Sequence, residues 1–305
     1  MERECCNGRH SRVGIIKMKK HTEHLFSESI VYSLATAKIT EYDNLLVESV
    51  LLLQLSGEMT FETSGDRIIA RPGEVYLVRK HQFVKTTKTP KNNEYYNALM
   101  FILKDEILRE YALEKQLDSV AKYQGKKNIL LPENAYLKGF FNSLLPHVQE
   151  PKTLENPLSI LKVKEAIELL LLGKPELKNF LFDFSEPHKI DLEKFMLANF
   201  RFNVPIAKFA KLTGRSLAGF KRDFLKTFGM SPRQWLQYKR LTAAHYELEK
   251  KNKKPTSIYL ELGFESLSHF SYAFKKQFGY SPTEVTNLNK VQNLFYISAE
   301  ISPKG

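Results

Sequence analysis

The chain has 305 residues, of which 43% are hydrophobic and 12% aromatic, so its composition excludes a globally disordered protein and allows two domains with ordinary cores. The formal net charge of +12 is concentrated in residues 188–288, where 18 Lys and Arg stand against 8 Asp and Glu; residues 1–187 carry 26 basic and 25 acidic side chains. Only the carboxyl-terminal part is therefore expected to bind a polyanion, unless its excess charge is an ordinary solvated Lys-rich surface.

The amino-terminal leader carries both cysteines of the chain. Cys5 and Cys6 are adjacent, so they cannot build a disulfide framework and lack metal-ligand spacing, and a reducing compartment fits best. The leader also lacks the apolar stretch of a secretion signal, which predicts a cytoplasmic protein. We expect residues 1–24 to be a disordered leader, with Met18 as an alternative start that would make residues 1–17 an extension.

Residues 45–87 show the pattern of an antiparallel sheet. Short runs rich in Val, Ile, Leu, Phe and Thr are separated by Ser-Gly-Glu at 56–58, Ser-Gly-Asp at 64–66 and Pro-Gly-Glu at 72–74. In such turns Gly supplies positive φ and Pro presets the first turn residue. The turn spacing predicts a cupin-like β-barrel, or jelly roll, over residues 25–175, which would serve as a sensor or oligomerisation domain.

The same region predicts neither a membrane span nor a metal site. Its apolar stretch 45–55 contains Glu48 and is too short to cross a bilayer, so it is expected to be a buried strand. Cupin enzymes hold a metal with a His-x-His, Glu and His set, whereas His81 has no such partners, and His21 and His24 lack a completing cluster. We therefore expect no membrane contact, no metal, no cofactor and no catalytic residue, and a protein that is not an enzyme.

Two helices are predicted next, at residues 134–148 and 157–172. The second has Asn156 as its N-cap, Pro at its first position and Gly directly past its end. Its apolar positions cover more than one face, which fits either packing against its own barrel or a seam between two subunits. Prolines and a change of composition follow this helix and predict an interdomain linker at residues 176–188.

The most specific pattern is an internal repeat with a period of fifty residues. Residues 210–232 align without a gap on residues 260–282, and ten of the 23 positions are identical. A repeat at a fixed period indicates one structural unit used twice, and each copy has the pattern of a helix-turn-helix. The predicted helices are 205–212 and 216–228 in the first copy, and 257–262 and 266–278 in the second.

The second helix of each copy is amphipathic. One face recurs at helical spacing and is expected to be core: it carries Leu217, Phe220, Phe224 and Phe228 in the first copy, and Leu267, Phe270, Phe274 and Phe278 in the second. The opposite face carries small, hydroxyl and cationic side chains, which suit insertion into the major groove of DNA. These are Ala218, Lys221 and Arg222 in the first copy, and Ser268, Ser271, Tyr272 and Lys275 in the second.

The cationic side chains of these faces are expected to divide into two roles. Arg222 has the geometry to bind guanine O6 and N7 with two donors, and Lys221 would serve a base or a phosphate. Lys226, Lys275 and Lys276 lie near helix ends and are expected to contact phosphates. For each of them, a solvated surface charge is the alternative.

A capping box follows each copy, at residues 231–234 and 281–284, so a new helix is predicted after each. The first of these, at about 232–248, would separate the two motifs by roughly 25 Å, a span suited to successive major-groove faces about 34 Å apart. The fold class is therefore α+β, with an all-α domain of two helix-turn-helix motifs and a linker helix over residues 189–290, and a tail at 291–305.

This pair of motifs resembles the DNA-binding domain of the AraC/XylS family of bacterial transcription regulators. The match is carried by SIYLELGFESLSHFSYAFKKQFGYSP at residues 257–282 and extends over residues 192–285. The base-reading positions that it implies are Ala218, Gly219, Lys221 and Arg222 in the first motif, and Leu267, Ser268, Ser271 and Tyr272 in the second. The family commonly has Gln and Arg where this chain has Leu267 and Tyr272, so the second motif is expected to bind mainly through phosphates and shape.

The resemblance also has implications for partners. It implies an activator that binds double-stranded promoter DNA and recruits RNA polymerase. Residues 72–88 and 161–172 resemble the branch that includes activators of type III secretion, in which the amino-terminal domain self-associates and binds a regulatory protein; sugar-responsive relatives bind a small ligand there. A small-molecule or protein effector and a homodimer thus stay open. The alternatives are a non-specific nucleic-acid architectural protein and a cupin-type enzyme with an accessory DNA-binding domain.

Overall fold

The structure is a computed structural model that describes residues 21–25, 28–91, 95–117, 121–149, 156–185 and 189–285. Its amino-terminal part is mainly β-structure, and its carboxyl-terminal part is helical. The strands of the described residues are β1 (His21–Leu25), β2 (Ile30–Ala35), β3 (Ile39–Leu46), β4 (Ser49–Ser56), β5 (Glu58–Glu62), β6 (Arg67–Ala70), β7 (Val75–Val78), β8 (Gln82–Thr89), β9 (Tyr96–Leu103) and β10 (Asn128–Leu130).

These strands form two antiparallel sheets packed face to face. In the described part of the chain, one sheet has the strand order β1-β2-β9-β4-β7-β10 and the other has the order β3-β8-β5-β6. Side chains alternate across a strand, so β4 places Leu52 between the sheets and Leu51 on the outer face, against the helices. The predicted jelly-roll architecture is confirmed, but the two sheets do not close into one ring, so the term barrel applies only loosely.

The helices divide between the two parts of the chain. Five pack on or near the sheets, and six form the carboxyl-terminal domain, counted over the described residues. They are α1 (Asp105–Glu114), α2 (Ala135–Asn142), α3 (Leu145–Gln149), α4 (Asn156–Gly173), α5 (Leu177–Phe182), α6 (Leu192–Asn199), α7 (Ile206–Leu212), α8 (Leu217–Phe228), α9 (Pro232–Glu249), α10 (Pro255–Ile258) and α11 (Leu267–Phe278).

Two predicted elements of the amino-terminal part are each divided in the structure. The apolar stretch 45–55 is not one strand, because it turns at Val47 and Glu48 between β3 and β4. The carboxylate of Glu48 accepts a hydrogen bond from the backbone N–H of Asp105 at the start of α1, 3.2 Å away. The predicted helix 134–148 is α2 followed by α3, because Pro146 has no N–H to continue the ladder and can only sit in a first helical turn.

The ends of the amino-terminal domain also differ from the prediction. The last residues of the predicted leader belong to β1, which pairs with β2 from His21 to Leu25. Residues 1–20 and 291–305, which include Met18, lie outside the described residues, as do the side chains of His21 and His24. The boundaries of leader and tail therefore stay predictions.

The predicted linker at 176–188 is partly an ordered, buried helix. α5 places Leu177, Phe180, Leu181 and Phe182 in the same apolar cluster as the six-stranded sheet. Directly after it, the Asp183 carboxylate binds Arg79 of the β7–β8 turn at 2.6 Å. The amino-terminal domain thus extends at least to this ion pair, and the segment that follows it is shorter than predicted.

One aromatic side chain of the sheets enters the core of the carboxyl-terminal domain. Phe83 of β8 is buried, and its ring lies 5.2 Å from that of Phe202 and 5.1 Å from that of Phe209, measured between centroids. Both partners belong to the first helix-turn-helix or the connector before it. The two domains are therefore joined by packing as well as by the chain.

Candidate nucleic-acid interface

The helix α8 begins and ends at the predicted residues. The side chain of Ser216 accepts a hydrogen bond from the backbone N–H of Gly219 at 3.1 Å, which caps the amino terminus. Gly229 ends the helix with φ +70°, a left-handed conformation that favours glycine. Phe220 and Phe224 are fully buried, so the helix is fixed by its apolar face and presents the opposite face to solvent.

The exposed face of α8 carries the predicted reading side chains. Ala218, Lys221, Arg222 and Lys226 are exposed, and in the described part of the chain none of these cations forms an ion pair. Gly219 is half-buried because a Cβ at this position would lie 3.1 Å from the cap oxygen. The surface is therefore a set of unpaired donors on one ridge, as binding to base edges and phosphates requires.

One residue of the predicted core face is exposed. Leu217 keeps 42% of its surface accessible, because it lies in the first turn of α8, past the edge of the aromatic core. Together with Leu225 it lines an open apolar cleft beside the start of α7. The prediction that Leu217 is a core residue is wrong, whereas the predictions for Phe220 and Phe224 are confirmed.

The helix α11 repeats this arrangement. Ser266 caps it through the backbone N–H of His269, 3.2 Å away, and Gly279 ends it with φ +87°. Its core face carries Phe270 and Phe274, both fully buried. Of the predicted functional positions, four are exposed and two half-buried: Ser268, Tyr272, Lys275 and Lys276 are exposed, and Leu267 and Ser271 are half-buried.

The side chain of Leu267 differs from the other predicted reading positions. It packs against the apolar cluster of the second motif, beside Phe270 and Phe274. Tyr272, by contrast, has 69% of its surface exposed. The face of α11 therefore offers two hydroxyl groups, at Ser268 and Tyr272, and cations only toward its end.

The first helix of the second motif is shorter than predicted. α10 spans Pro255–Ile258, whereas the sequence predicted residues 257–262. The helix starts earlier because Pro255 suits the first helical position, where a missing N–H costs nothing. It passes into turns before Gly263, whose φ of +79° reverses the chain toward α11.

The helix α9 links the two motifs and packs on both, as predicted. Ser231 and Gln234 form a reciprocal capping box at its start. Trp235 and Leu236 lie in the apolar cluster of the first motif, and Leu241 lies in that of the second. With 18 residues, the helix is about 27 Å long at ~1.5 Å per residue.

A buried arginine of α9 was missed by the sequence analysis, which counted it as part of the basic surface. Arg240 is only 9% exposed. It lies four residues after Leu236 and four before Ala244, both buried, so its place on the apolar face of α9 was the signal that could have identified it.

The N-cap of α8 provides a direct stability test. Ser216→Ala is expected to lower the free energy of unfolding of the carboxyl-terminal domain by about 1 kcal/mol, because it leaves the N–H of Gly219 without its acceptor. The matched control is Thr227→Ala at the exposed end of the same helix, where the hydroxyl donates to the carbonyl of Asp223. Denaturant unfolding measures both, and equal losses would contradict a capping role.

Among the described residues, no group of three His, Cys, Asp or Glu side chains could hold a metal ion. The helices within the described ranges are all too short or too polar to cross a membrane.

Comparisons with known proteins match both parts of the chain. A helix-turn-helix domain model matches residues 209–287, and the model of the ExsA N-terminal regulatory domain matches residues 49–181. The transcriptional regulator ExsA of Pseudomonas aeruginosa is 27% identical over 242 residues, which cover 77% of this chain and 84% of ExsA. The virulence regulon transcriptional activator VirF of Yersinia enterocolitica is 34% identical over 93 residues, which cover 30% of this chain and 34% of VirF.

Among solved structures, ToxT of Vibrio cholerae is similar over 85% of this chain and 98% of its own, with 16% identity and a TM-score of 0.37. The two repeated motifs with their exposed ridges, joined to a regulatory domain, define the class of the protein: a DNA-binding transcription regulator. Within that class, the chain belongs to the AraC/XylS family, in the branch of ExsA and VirF.

Proposed function

We propose that the protein is a cytoplasmic transcription activator that binds one promoter site with both helix-turn-helix motifs. The observation that carries this proposal is the pair of capped, amphipathic helices α8 and α11, each with an exposed polar ridge. The segment that contains them, residues 188–288, has ten more basic than acidic side chains. A surplus of this size attracts a polyanion through release of its counterions.

The division of labour between the two ridges follows from their side chains. In α8, Lys221 and Arg222 are exposed cations without ion-pair partners among the described residues, so α8 is proposed to read bases by direct hydrogen bonds. In α11, Leu267 packs inward and the cations lie at the end, so α11 is proposed to contribute phosphate contacts and shape. The proposed base-reading residues are Ala218, Gly219, Lys221, Arg222, Leu267, Ser268, Ser271 and Tyr272, and the proposed phosphate contacts are Lys226, Lys275 and Lys276.

The roles of two cations of α8 can be separated by mutation. Arg222→Ala is expected to cost about 1–3 kcal/mol of binding free energy and to relax the preference at one base pair, because a bidentate contact to guanine is lost. Lys226→Ala is the matched control on the same helix, and it should weaken binding equally on all sequences and lower the salt dependence by about one ion. Binding to a panel of singly substituted sites measures both. A uniform loss for Arg222→Ala would reassign Arg222 to a phosphate contact.

The amino-terminal domain is proposed to receive the regulatory signal and to act without catalysis. Support comes from the match to a regulatory domain over residues 49–181 and from the contact of Phe83 with the first motif. Exposed leucines on α4, with Leu161 at 62% and Leu172 at 70%, support a homodimer or a protein partner. We propose an effector, either a small molecule or a protein, and recruitment of RNA polymerase at the promoter.

Competition binding tests the proposed function. The protein should prefer its selected site over random DNA by about 10³-fold or more at physiological salt. Equal binding to both would identify a non-specific architectural protein instead. The same titration, followed by sedimentation of the free protein over a range of concentrations, tests whether it forms a homodimer.

A further inference from the structure

The two helix-turn-helix motifs have separate apolar cores. Phe209, Phe220 and Phe224 belong to the core of the first motif, and Phe270 and Phe274 belong to that of the second. Between the motifs lies an open cleft of about 610 Å³, with walls contributed by both. Two cores on either side of an open cleft do not fix each other's orientation. The placement of one motif relative to the other must therefore depend on α9 and on contacts that bridge the cleft.

The side chain of Arg240 makes such a bridge. From the middle of α9, its Nε donates to the carbonyl of Phe200 at 2.8 Å, and its Nη2 donates to that of Phe202 at 2.9 Å. These carbonyls belong to the connector between α6 and α7 of the first motif. Its Nη1 donates to the carbonyl of Gly263, in the turn of the second motif, at 2.9 Å. One guanidinium thus holds the backbone of both motifs.

The two backbones also meet directly beside this guanidinium. A Cβ at Gly263 would lie 2.5 Å from the carbonyl oxygen of Arg201 and 2.9 Å from Cζ of Arg240. This position therefore requires glycine for two reasons, the close approach and a φ of +79°. The turn that precedes α11 is seated against the connector that precedes α7.

A second set of polar contacts ties the same connector to α9 and to the second motif. Glu247 of α9 is 2% exposed and accepts from Arg201 and from Lys253, each at 2.9 Å. Asn203 of the connector donates to Glu265 of the second motif at 3.2 Å. The connector is thus held from α9 at two points and from the second motif at one more.

We propose that Arg240 is the positioning residue that holds α11 in a fixed place relative to α8, so that both helices contact one DNA site. A planar guanidinium presents five donors in fixed directions and meets three carbonyls at once, whereas an ammonium is a point charge that cannot span them. Arg240 acts through the backbone of both motifs and does not touch DNA. The inference rests on the proposed function, in which both motifs contact the same site.

The test uses the full chain and three DNA duplexes: its selected site and two versions in which one half-site or the other is scrambled. Arg222→Ala assigns the halves, because it changes base preference only in the half that α8 contacts. Wild-type protein is expected to lose roughly tenfold to hundredfold in affinity when the second half is scrambled. Arg240→Met is expected to bind the intact site about as weakly as wild type binds the scrambled one, and to bind both duplexes within about twofold.

Footprints of the same complexes add a readout that a purely structural role would not change in this way. Arg240→Met should protect the first half-site as wild type does and lose protection of the second. Lys250→Met is the matched control, since it removes one cation from the end of α9 whose side chain is 61% exposed and pairs only with Glu249 among the described residues. It should keep the wild-type ratio between the two duplexes.

Three outcomes would overturn the inference. One is a wild-type ratio and footprint for Arg240→Met. Another is an equal loss on all duplexes together with a lower melting temperature, which is the behaviour of a residue that only stabilises the fold. If Arg240→Met does not fold, Arg240→Lys decides, because it keeps the charge but not the three-way contact, and a full wild-type ratio in this variant would be the third. If wild type itself ignores the second half-site, the proposed two-motif function fails instead.

Discussion

Replacing Phe224 with alanine is expected to lower the free energy of unfolding of the carboxyl-terminal domain by about 3–5 kcal/mol and to abolish DNA binding by the first motif. The ring is fully buried, and its centroid lies 4.4 Å from that of Phe228, 5.4 Å from that of Phe220 and 5.6 Å from that of Trp235. Its removal leaves a cavity at the point where α8 packs on α9. Without that packing, the reading ridge is no longer held in place.

The neighbouring residue offers a matched control for this prediction. Leu225→Ala removes an apolar side chain of similar position that is 57% exposed, so its effect on stability should stay within about 0.5 kcal/mol. Thermal and denaturant unfolding of the full chain measure both variants. Comparable losses for the two would show that the aromatic stripe of α8 is not the core of the motif.

The second large effect is expected at the end of α5, where Asp183→Ala should cost about 3–5 kcal/mol. Asp183 is nearly buried and binds Nη2 of Arg79 at 2.6 Å, and it also accepts from the backbone N–H of Tyr123 at 3.0 Å. Removing the carboxylate leaves the guanidinium of Arg79 buried without its counter-charge. The half-exposed pair of Lys162 and Glu165 supplies the control, since Glu165→Ala should change stability by less than about 1 kcal/mol.

The same carboxylate predicts a pH dependence. Burial by itself would raise the pKa of Asp183, but hydrogen bonds from Ser185 and from the backbone N–H of Tyr123, together with the charge of Arg79, lower it on balance. A carboxyl group with a lowered pKa in the folded state binds fewer protons there than in the unfolded state. Its stabilisation is therefore complete above the unfolded pKa of about 3.9 and is lost as the pH falls through the lower folded value. Unfolding of wild type and Asp183→Ala should converge in acid, and a constant difference down to low pH would contradict this assignment.

The recognition helices could be predicted to the residue because their end signals are local. Ser216 and Ser266 have a backbone N–H three residues ahead to bind, and Gly229 and Gly279 adopt the left-handed conformation that stops a helix. These signals depend only on neighbouring residues, so a single sequence contains them. The capping box at Ser231 fixed the start of α9 in the same way.

Other features depend on distant parts of the chain. The composition of residues 176–188 indicated a linker, but the apolar side chains of α5 gain burial against the six-stranded sheet, a partner that local sequence does not reveal. Leu217 has the spacing of a core residue, yet the core ends before it. Arg240 was counted as surface charge, because nothing local shows that carbonyls from two motifs surround it. Which bases each ridge reads also depends on the DNA and stays a prediction.

The central claim is that α8 and α11 lie along one side of a duplex and enter successive major grooves. Hydroxyl-radical footprinting of the full chain on its selected site tests this most directly. Two protected segments about one helical turn apart, on the same face of the DNA, are the predicted result. Protection of a single segment, or of two segments on opposite faces, would contradict the account.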